Sequence, residues 1–211
     1  MKTDQLILAM AADATSAPQV GGRVARWFLP VLALAGLIAL AVMGPRSDLA
    51  TAMSAPVTGL KPILPALIAL AAGFSVLRLA RPNGVAGWLA WPICLIAGLV
   101  VIWLAATLAG TPAQQWWPEV KGNTLGFCLA AIPVIALLPL GALIMALQSG
   151  ASTRPKLSGA FAGAAAGAGA AAFYAMLCIE DNPLFFLTWY GLGILIVSGL
   201  GALAGWLWLR W

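Results

Sequence analysis

The side chains able to do chemistry in this chain are three cysteines and six carboxylates, and there is no histidine. Histidine is the most frequent general base and a common metal ligand, so its absence removes both of those roles. The carboxylates lie outside the long apolar stretches, where a proton relay or an ion pathway would need them. The residue types therefore argue against an enzyme, a pump or a coupled transporter, and they predict no cofactor.

Two of the cysteines stand at the ends of consecutive apolar stretches. Cys128 opens the fourth stretch and Cys178 closes the fifth. If those ends are neighbours, the two thiols could form a disulfide in an oxidising compartment or share a soft metal ion. Coincidence is the alternative, because apolar helices also use cysteine as a small packing residue, which is the interpretation for Cys94. Cys128 and Cys178 are thus the candidate signal-sensing residues and candidate metal ligands.

Two acids, Glu180 and Asp181, follow Cys178 almost directly, and the turn residues Asn182 and Pro183 come next. Asp181 or Asn182 is placed to cap the following helix, with Pro183 in its first turn. A second interpretation joins Glu180 and Asp181 to Cys178 in a cation-responsive outer-loop cluster. Both interpretations remain open from the sequence.

Six apolar stretches must position these residues in a chain that is 63% hydrophobic and 8% charged. A hydrocarbon core of about 30 Å is crossed by about 20 helical residues, whose backbone groups pair within the segment. The sequence therefore predicts an all-α polytopic membrane protein: a cytoplasmic tail over residues 1–26, and a bundle of six transmembrane helices over residues 27–211. The predicted spans are Trp27–Met43, Pro62–Leu79, Trp88–Ala109, Leu125–Leu147, Ser158–Cys178 and Leu184–Leu209.

The distribution of basic residues predicts the orientation, because cytoplasmic loops carry an excess of Lys and Arg. With a cytoplasmic N-terminus, eight basic residues lie inside: Lys2, Arg23, Arg26, Arg78, Arg81, Arg154, Lys156 and Arg210. Three lie outside: Arg46, Lys61 and Lys121. Six spans return the C-terminus to the cytoplasm. The sequence thus predicts a multi-pass protein embedded in the lipid bilayer, with both termini cytoplasmic.

The N-terminal tail contains a predicted short amphipathic helix. At 100° per residue, Leu6, Ile7 and Met10 fall on one face, with Asp13 along its edge, and Asp4 is placed near the helix start. A helix that lies on a membrane surface carries Lys and Arg on its polar face. The acidic margin favours a protein partner instead, preferably a basic one.

Glycines recur at intervals of four in the fifth span, at Gly159, Gly163 and Gly167, and again in the sixth, at Gly201 and Gly205. Small residues at this spacing allow another helix to approach closely. The pattern fits tight packing inside one subunit, and it also fits a homodimer interface.

The residues also resemble a known family. The chain is similar to the negative regulator of sigma F (NrsF) family of six-helix bacterial membrane anti-sigma factors. The resemblance covers the whole chain and rests most specifically on its C-terminal motif. It is carried by Met1-Lys2-Thr3-Asp4, by Ala12-Asp13, by Cys178-x-Glu180-Asp181-x-Pro183-Leu184-Phe185 and by Trp189-Tyr190-Gly191-Leu192-Gly193.

The resemblance implies a function and a set of contact residues. A member of this family holds an extracytoplasmic-function sigma factor at the membrane through its N-terminal segment, which corresponds here to residues 2–14. The implied polar contacts to the sigma factor are Asp4 and Asp13, and binding of the helix in a groove would use Leu6, Ile7 and Met10 as apolar anchors. The family's paired cysteines, linked to sensing of metal or oxidative stress, correspond to Cys128 and Cys178. One departure is Ile179, where many relatives have proline.

Two functions follow as hypotheses. The first is an anti-sigma factor that binds a sigma factor and makes no direct contact with nucleic acid. The alternative is a small membrane transporter or channel, which would need a polar stripe inside the bundle. The spans offer few hydroxyl groups for one: Thr107, Ser158, Thr188 and Ser198.

Overall fold

The computed structural model describes residues 3–12, 20–81, 84 and 91–210, and these residues form helices joined by turns, without a strand. In chain order the helices are α1 (Thr3–Ala12), α2 (Val20–Met43), α3 (Leu49–Ser54), α4 (Pro56–Leu79), α5 (Trp91–Gly110), α6 (Ala113–Lys121), α7 (Leu125–Leu147), α8 (Pro155–Tyr174) and α9 (Pro183–Trp208). Six of them are long and apolar enough to cross a membrane: α2, α4, α5, α7, α8 and α9. The predicted all-α architecture with six apolar helices is confirmed.

Four helices, α2, α4, α8 and α9, begin earlier than the apolar stretches that predict them. The two largest differences are at α2, which begins at Val20 instead of Trp27, and at α4, which begins at Pro56 instead of Pro62. The hydrogen bonds of a helix form between backbone groups, so a helix can continue beyond its apolar residues into polar ones. The consequence is that Lys61 lies inside α4 and not in the loop before it.

Proline and glycine mark the ends of the helices. Proline stands in the first turn of α4, α8 and α9, where a missing N–H costs nothing. Gly44, with φ of 75°, ends α2, and Gly122, with φ of 54°, ends α6. This left-handed backbone is the one that glycine adopts most easily.

The centre of the bundle is α8, which packs against α2, α4, α7 and α9. Its inward residues are mostly alanine and glycine, and many of them are completely buried. By contrast, none of the side chains of α5 is buried. The bundle is therefore a compact core around α8 with α5 at its periphery.

The glycine pattern is explained by the contact between α8 and α9. A Cβ atom at Gly159 would overlap the backbone carbonyl of Gly201, and one at Gly163 would overlap that of Val197. Gly201 and Gly205 face the backbone of α8 in the same way. The spacing therefore serves packing inside one subunit, and a homodimer stays a prediction without support from this motif.

The bundle has two ends of different character. The ends of α2 and α8 and the beginnings of α4, α7 and α9 meet at one, which we call the polar end. The beginnings of α2 and α8 meet the ends of α4, α7 and α9 at the other, which we call the basic end. There the amide of Ala151, before α8, donates to the carbonyl of Ala80, after α4, at 3.1 Å.

Candidate functional site: a polar cluster at one end of the bundle and an exposed N-terminal helix

The loop between α8 and α9 is the centre of the polar end. Helix α8 ends at Tyr174, so Cys178 lies in the loop and does not close the helix as predicted. The chain turns there because the amides of Leu177 and Cys178 both donate to the carbonyl of Tyr174. At Asn182 the predicted cap is confirmed, since its side chain accepts a hydrogen bond of 2.9 Å from the amide of Leu184.

Lys61 of α4 is the most deeply buried charge of the described chain, with none of its surface exposed. Its Nζ donates to the carbonyl oxygens of Cys178 at 2.7 Å and of Glu180 at 2.8 Å, and lies 3.3 Å from a carboxylate oxygen of Asp181. These contacts use all three donors of the ammonium group. The position beyond the carboxyl end of α8 is also where a helix dipole favours a cation.

Arg46, just after α2, binds two carboxylates at once. Its Nη atoms donate to both oxygens of Asp181 at 2.7 and 2.8 Å. Its Nε and Nη2 donate to both oxygens of Asp48 at 2.7 and 2.9 Å. The backbone amide of Arg46 also donates to the carbonyl of Met176 at 3.4 Å. Two bidentate pairs fix the guanidinium in one plane and attach the end of α2 to the loop.

The same contacts shift the acid–base equilibria. The hydrogen bonds that Arg46 donates to Asp181 and then to Asp48 raise the pKa of Arg46 above its ordinary value. Burial opposes the ionised form of Asp181, but the hydrogen bond from Arg46 and the charge of Lys61 outweigh it, so its pKa is lowered from 3.8. The hydrogen bond from Arg46 likewise lowers the pKa of Asp48. Arg46, Asp48 and Asp181 are therefore charged at neutral pH.

A second set of hydrogen bonds attaches α6 to the loop. A carboxylate oxygen of Glu180 accepts from the amide of Asn123 at 2.9 Å, and the Asn182 side chain donates to Glu119 at 3.1 Å. The indole of Trp189 donates to the carbonyl of Val120 at 2.6 Å. The loop thus joins α2, α4 and α6 at one point. We call Arg46, Asp48, Lys61, Glu180 and Asp181 the polar cluster.

The two candidate sensing cysteines lie beside this cluster. Cys128 is completely buried and Cys178 is 4% exposed, and both are free thiols. They are close enough to interact with each other, and Tyr174 is a neighbour of both. Cys94 is exposed in α5. The beginning of α7, which carries Cys128, and the loop that carries Cys178 are therefore neighbours, as a joint role requires.

The acids near Cys178 are occupied by donors from the protein itself. Asp181 faces Arg46 and Lys61, and Glu180 accepts from the backbone of Asn123. Across residues 3–12, 20–81, 84 and 91–210, no group of three or more His, Cys, Asp or Glu residues is arranged to hold a metal ion. A metal-binding role for Cys128 and Cys178 stays a prediction.

The predicted tail helix is present as α1, Thr3–Ala12. The side chains of Asp4 and Ile7 are exposed, and so is Leu8, which points away from the predicted contact face. Leu6 and Met10 lie on the helix by their backbone, but their side chains are outside the described part of the structure, as is Asp13 altogether.

The hydroxyl groups that a transport pathway would need form hydrogen bonds with residues nearby in the chain. Thr107 donates to the carbonyl of Trp103 at 2.9 Å, and Ser198 donates to that of Ile194 at 2.8 Å, each one turn back in its own helix. Ser158 pairs with Ser152 through their hydroxyls at 2.6 Å. These three side chains do not form a polar stripe along the bundle.

Sequence reasoning treats Arg46 and Lys61 only as outer charges and misses their role in the polar cluster. A signal was available for Lys61, which directly precedes the apolar run from Pro62. An ionisable residue within a membrane helix is a candidate functional group by default. Arg46 carried no comparable signal, because its partner Asp181 is 135 residues away in the chain.

Comparison with known proteins identifies a family. Residues 8–211 match the family described as "Negative regulator of sigma F", so Asp4, Leu6 and Ile7 lie outside the matched stretch. No solved structure is significantly similar.

Two relatives are each similar over the whole of both chains. One is "Probable anti-sigma-F factor NrsF" of Azospira oryzae, 34% identical over 215 residues. The other is "Anti-sigma-F factor NrsF" of Caulobacter vibrioides, 34% identical over 224 residues. Both names describe a regulator and not an enzyme. The six apolar helices, the C-terminal motif and these full-length matches together show that the chain belongs to the NrsF family, the negative regulators of sigma F.

Proposed function

We propose that this protein is an anti-sigma factor of the bacterial inner membrane, with both termini in the cytoplasm. It binds an extracytoplasmic-function sigma factor through its N-terminal segment and so keeps that factor away from RNA polymerase. A signal at the polar end, on the periplasmic side, releases the sigma factor. The relatives' names support a sigma factor as the partner.

One observation carries the binding proposal: α1 presents an apolar side chain of its predicted contact face to solvent. Ile7 is 59% exposed, on the same helix as the exposed acid Asp4. A short helix gains order when it lays an apolar face into a groove of a partner. Leu6, Ile7 and Met10 are the proposed anchors, while Asp4 and Asp13 are proposed to meet basic residues at the rim of that groove.

The test is capture of the cognate sigma factor by the purified protein, comparing Ile7→Asp with Leu8→Asp. The two substitutions place the same charge on the same helix but on different faces. Burial of an isoleucine contributes about 1.5–3 kcal/mol, so Ile7→Asp should weaken capture by roughly ten- to a hundredfold. Leu8→Asp should keep capture within a few-fold of the unaltered protein.

Deletion of residues 2–14 should abolish capture altogether. Asp4→Asn and Asp13→Asn should have smaller effects that depend on salt concentration, as expected for rim charges. Capture that survives the deletion would show that the sigma factor binds elsewhere, for example at the loops of the basic end. Equal loss from Ile7→Asp and Leu8→Asp would reject the proposed face.

The sensing part of the proposal rests on the two neighbouring thiols. An oxidant that takes two electrons and two protons from Cys128 and Cys178 would join their sulfurs in a disulfide, and a soft metal ion would bind both thiolates. Either event would draw the beginning of α7 toward the loop that Lys61 and Arg46 hold. The polar cluster, including Glu180 and Asp181, would then have to rearrange.

Serine substitutions separate this role from simple packing. Transcription that depends on the sigma factor is measured before and after addition of peroxide or of a soft metal ion, in Cys128→Ser and Cys178→Ser. Cys94→Ser is the matched control, since Cys94 lies in peripheral α5. Both test variants should lose the response but keep repression at rest. An unchanged response in both would reject the cysteines as the sensor.

A further inference from the structure

The basic end of the bundle contains an open cavity of about 500 Å³ between the beginning of α8 and the end of α9. We call it the basic pocket; it is lined by Arg154, Pro155, Lys156, Leu157, Trp206 and Arg210. Three of these six residues are cations, one is an indole, and the other two are apolar. The combination of cations and an aromatic wall in one cavity is not required by the packing of the bundle.

Two of the three cations of the pocket are held in place by the indole. The guanidinium carbon of Arg210 lies 4.1 Å from the ring centroid of Trp206, and Nζ of Lys156 lies 5.7 Å from it. Both distances fall within the range of cation–π attraction, which orders a side chain without neutralising its charge. Among the described residues, no carboxylate forms an ion pair with Arg154, Lys156 or Arg210.

The acids of the bundle lie too far away to neutralise the pocket. Asp48, Glu119, Glu180 and Asp181 all belong to the polar end, where they pair with neighbouring groups. The beginning of α8 adds to the positive potential, because no side chain caps it. The pocket is therefore a pre-ordered site for an anionic ligand.

We propose that the basic pocket binds the phosphate group of an anionic phospholipid. The pocket lies where two membrane-length helices begin and end, at the level where Trp and basic residues meet lipid headgroups. Basic pockets between transmembrane helices hold anionic headgroups in this way. The phosphate lies among Arg154, Lys156 and Arg210, and the glycerol and acyl chains continue along the exposed apolar surface of α9.

The experiment measures lipid binding by the full-length protein in detergent, by native mass spectrometry and by the thermal shift on adding lipid. Phosphatidylglycerol is compared with phosphatidylcholine, which carries the same phosphate without net charge. The test variant combines Arg154→Gln, Lys156→Gln and Arg210→Gln. The control combines Arg23→Gln, Arg26→Gln and Arg81→Gln, which removes the same charge from cytoplasmic-side positions outside the pocket.

The unaltered protein and the control should bind phosphatidylglycerol with similar affinity and prefer it to phosphatidylcholine. The pocket variant should bind it on the order of a hundredfold more weakly, since each basic residue near a membrane surface contributes about 1 kcal/mol. If the pocket variant does not fold, Lys156→Gln alone should weaken binding about fivefold. Arg154→Lys with Arg210→Lys should retain most of the affinity, because the charges remain.

Four results would overturn the proposal. Equal loss in the pocket variant and the control would show diffuse attraction and no site. Unchanged binding in the pocket variant would exclude the pocket directly. Inorganic phosphate that gives the same thermal shift as the lipid, at the same concentration, would identify a site for free phosphate instead. A shift produced only by an acidic peptide from the sigma factor would likewise assign the pocket to the protein partner.

Discussion

The two ends of the bundle use charge in opposite ways. At the polar end, Lys61 and Arg46 are almost completely buried, and their partners are carboxylates and carbonyls. At the basic end, Arg154, Lys156 and Arg210 are exposed and rest against an indole or solvent. Paired charges close one end into a fixed structure, and unpaired charges leave the other available to a ligand. The comparison teaches that the burial and pairing of a charge, more than its presence, decide whether it supports the fold or binds something else.

Helix α8 connects the two ends of the bundle. Its carboxyl end is held by Lys61 through the carbonyl of Cys178, and its amino end forms one wall of the basic pocket. Between them it lies directly against the backbone of α9. A change at the polar end can therefore reach the basic end only by moving a tightly packed helix, which favours discrete positions over gradual bending.

Removing a charge from the polar cluster should have the largest effect on the stability of the protein. Lys61→Met removes the donor shared by two carbonyls and leaves Asp181 with fewer cations. Loss of one partner of a buried charge network costs about 3 kcal/mol or more, because the remaining groups stay buried without compensation. The free energy of unfolding, measured by titrating mixed micelles with SDS, should fall by that amount. Lys121→Met, an exposed lysine at the same end, is the control and should be close to neutral.

A larger side chain between α8 and α9 should have the second largest effect on stability. At Gly163, a larger side chain meets the backbone of α9, which cannot move aside as a flexible side chain would. Overpacking of this kind costs about 1–3 kcal/mol. Gly163→Val should lower stability by at least that much, whereas Gly199→Val, with nothing within 4 Å of its Cβ position, should not. Equal stability of the two variants would contradict the close contact.

Acid should weaken the polar end through Asp181. Its pKa is lowered from 3.8 in the folded protein, so its ion pairs contribute fully above that pH and are lost as the pH falls through the lowered value. Asp181→Asn should cost about 2 kcal/mol at pH 7, and the difference should disappear in strong acid. Asp48→Asn, which changes a more exposed partner of Arg46, should cost clearly less. A cost that does not vary with pH would assign the role of Asp181 to packing.

Removing a charge from the basic end should have the smallest effect on stability. The Arg154 side chain is exposed and has no ion-pair partner in the described part of the chain. Arg154→Gln should therefore change the free energy of unfolding by no more than about 0.5 kcal/mol in detergent without anionic lipid. A destabilisation as large as that from Asp181→Asn would remove the contrast between the two ends.

Much of the fold could be predicted because membrane helices are local structures. Their length and hydrophobicity are properties of contiguous residues, so the six spans and the cap at Asn182 follow from short stretches of sequence. The exact ends of the helices were harder to predict from the sequence, because helices continue into polar residues such as Lys61. The glycine pattern predicted close packing, but only the structure assigned the contact between α8 and α9 to one subunit.

The candidate site was partly predictable. The sequence singled out Cys128, Cys178, Glu180 and Asp181, and the structure places them at one end of the bundle. It did not indicate that the acids would be taken by Arg46 and Lys61, because pairs separated by more than a hundred residues leave no local pattern.

The sequence by itself determined that this is a six-helix membrane protein of the NrsF family with an acidic N-terminal helix. Composition, periodicity and the C-terminal motif are properties of the linear order of residues. Only the tertiary structure decided which charges neutralise each other and which remain available. That outcome depends on distances between residues far apart in the chain, and those distances are set when α8 packs into the centre of the bundle.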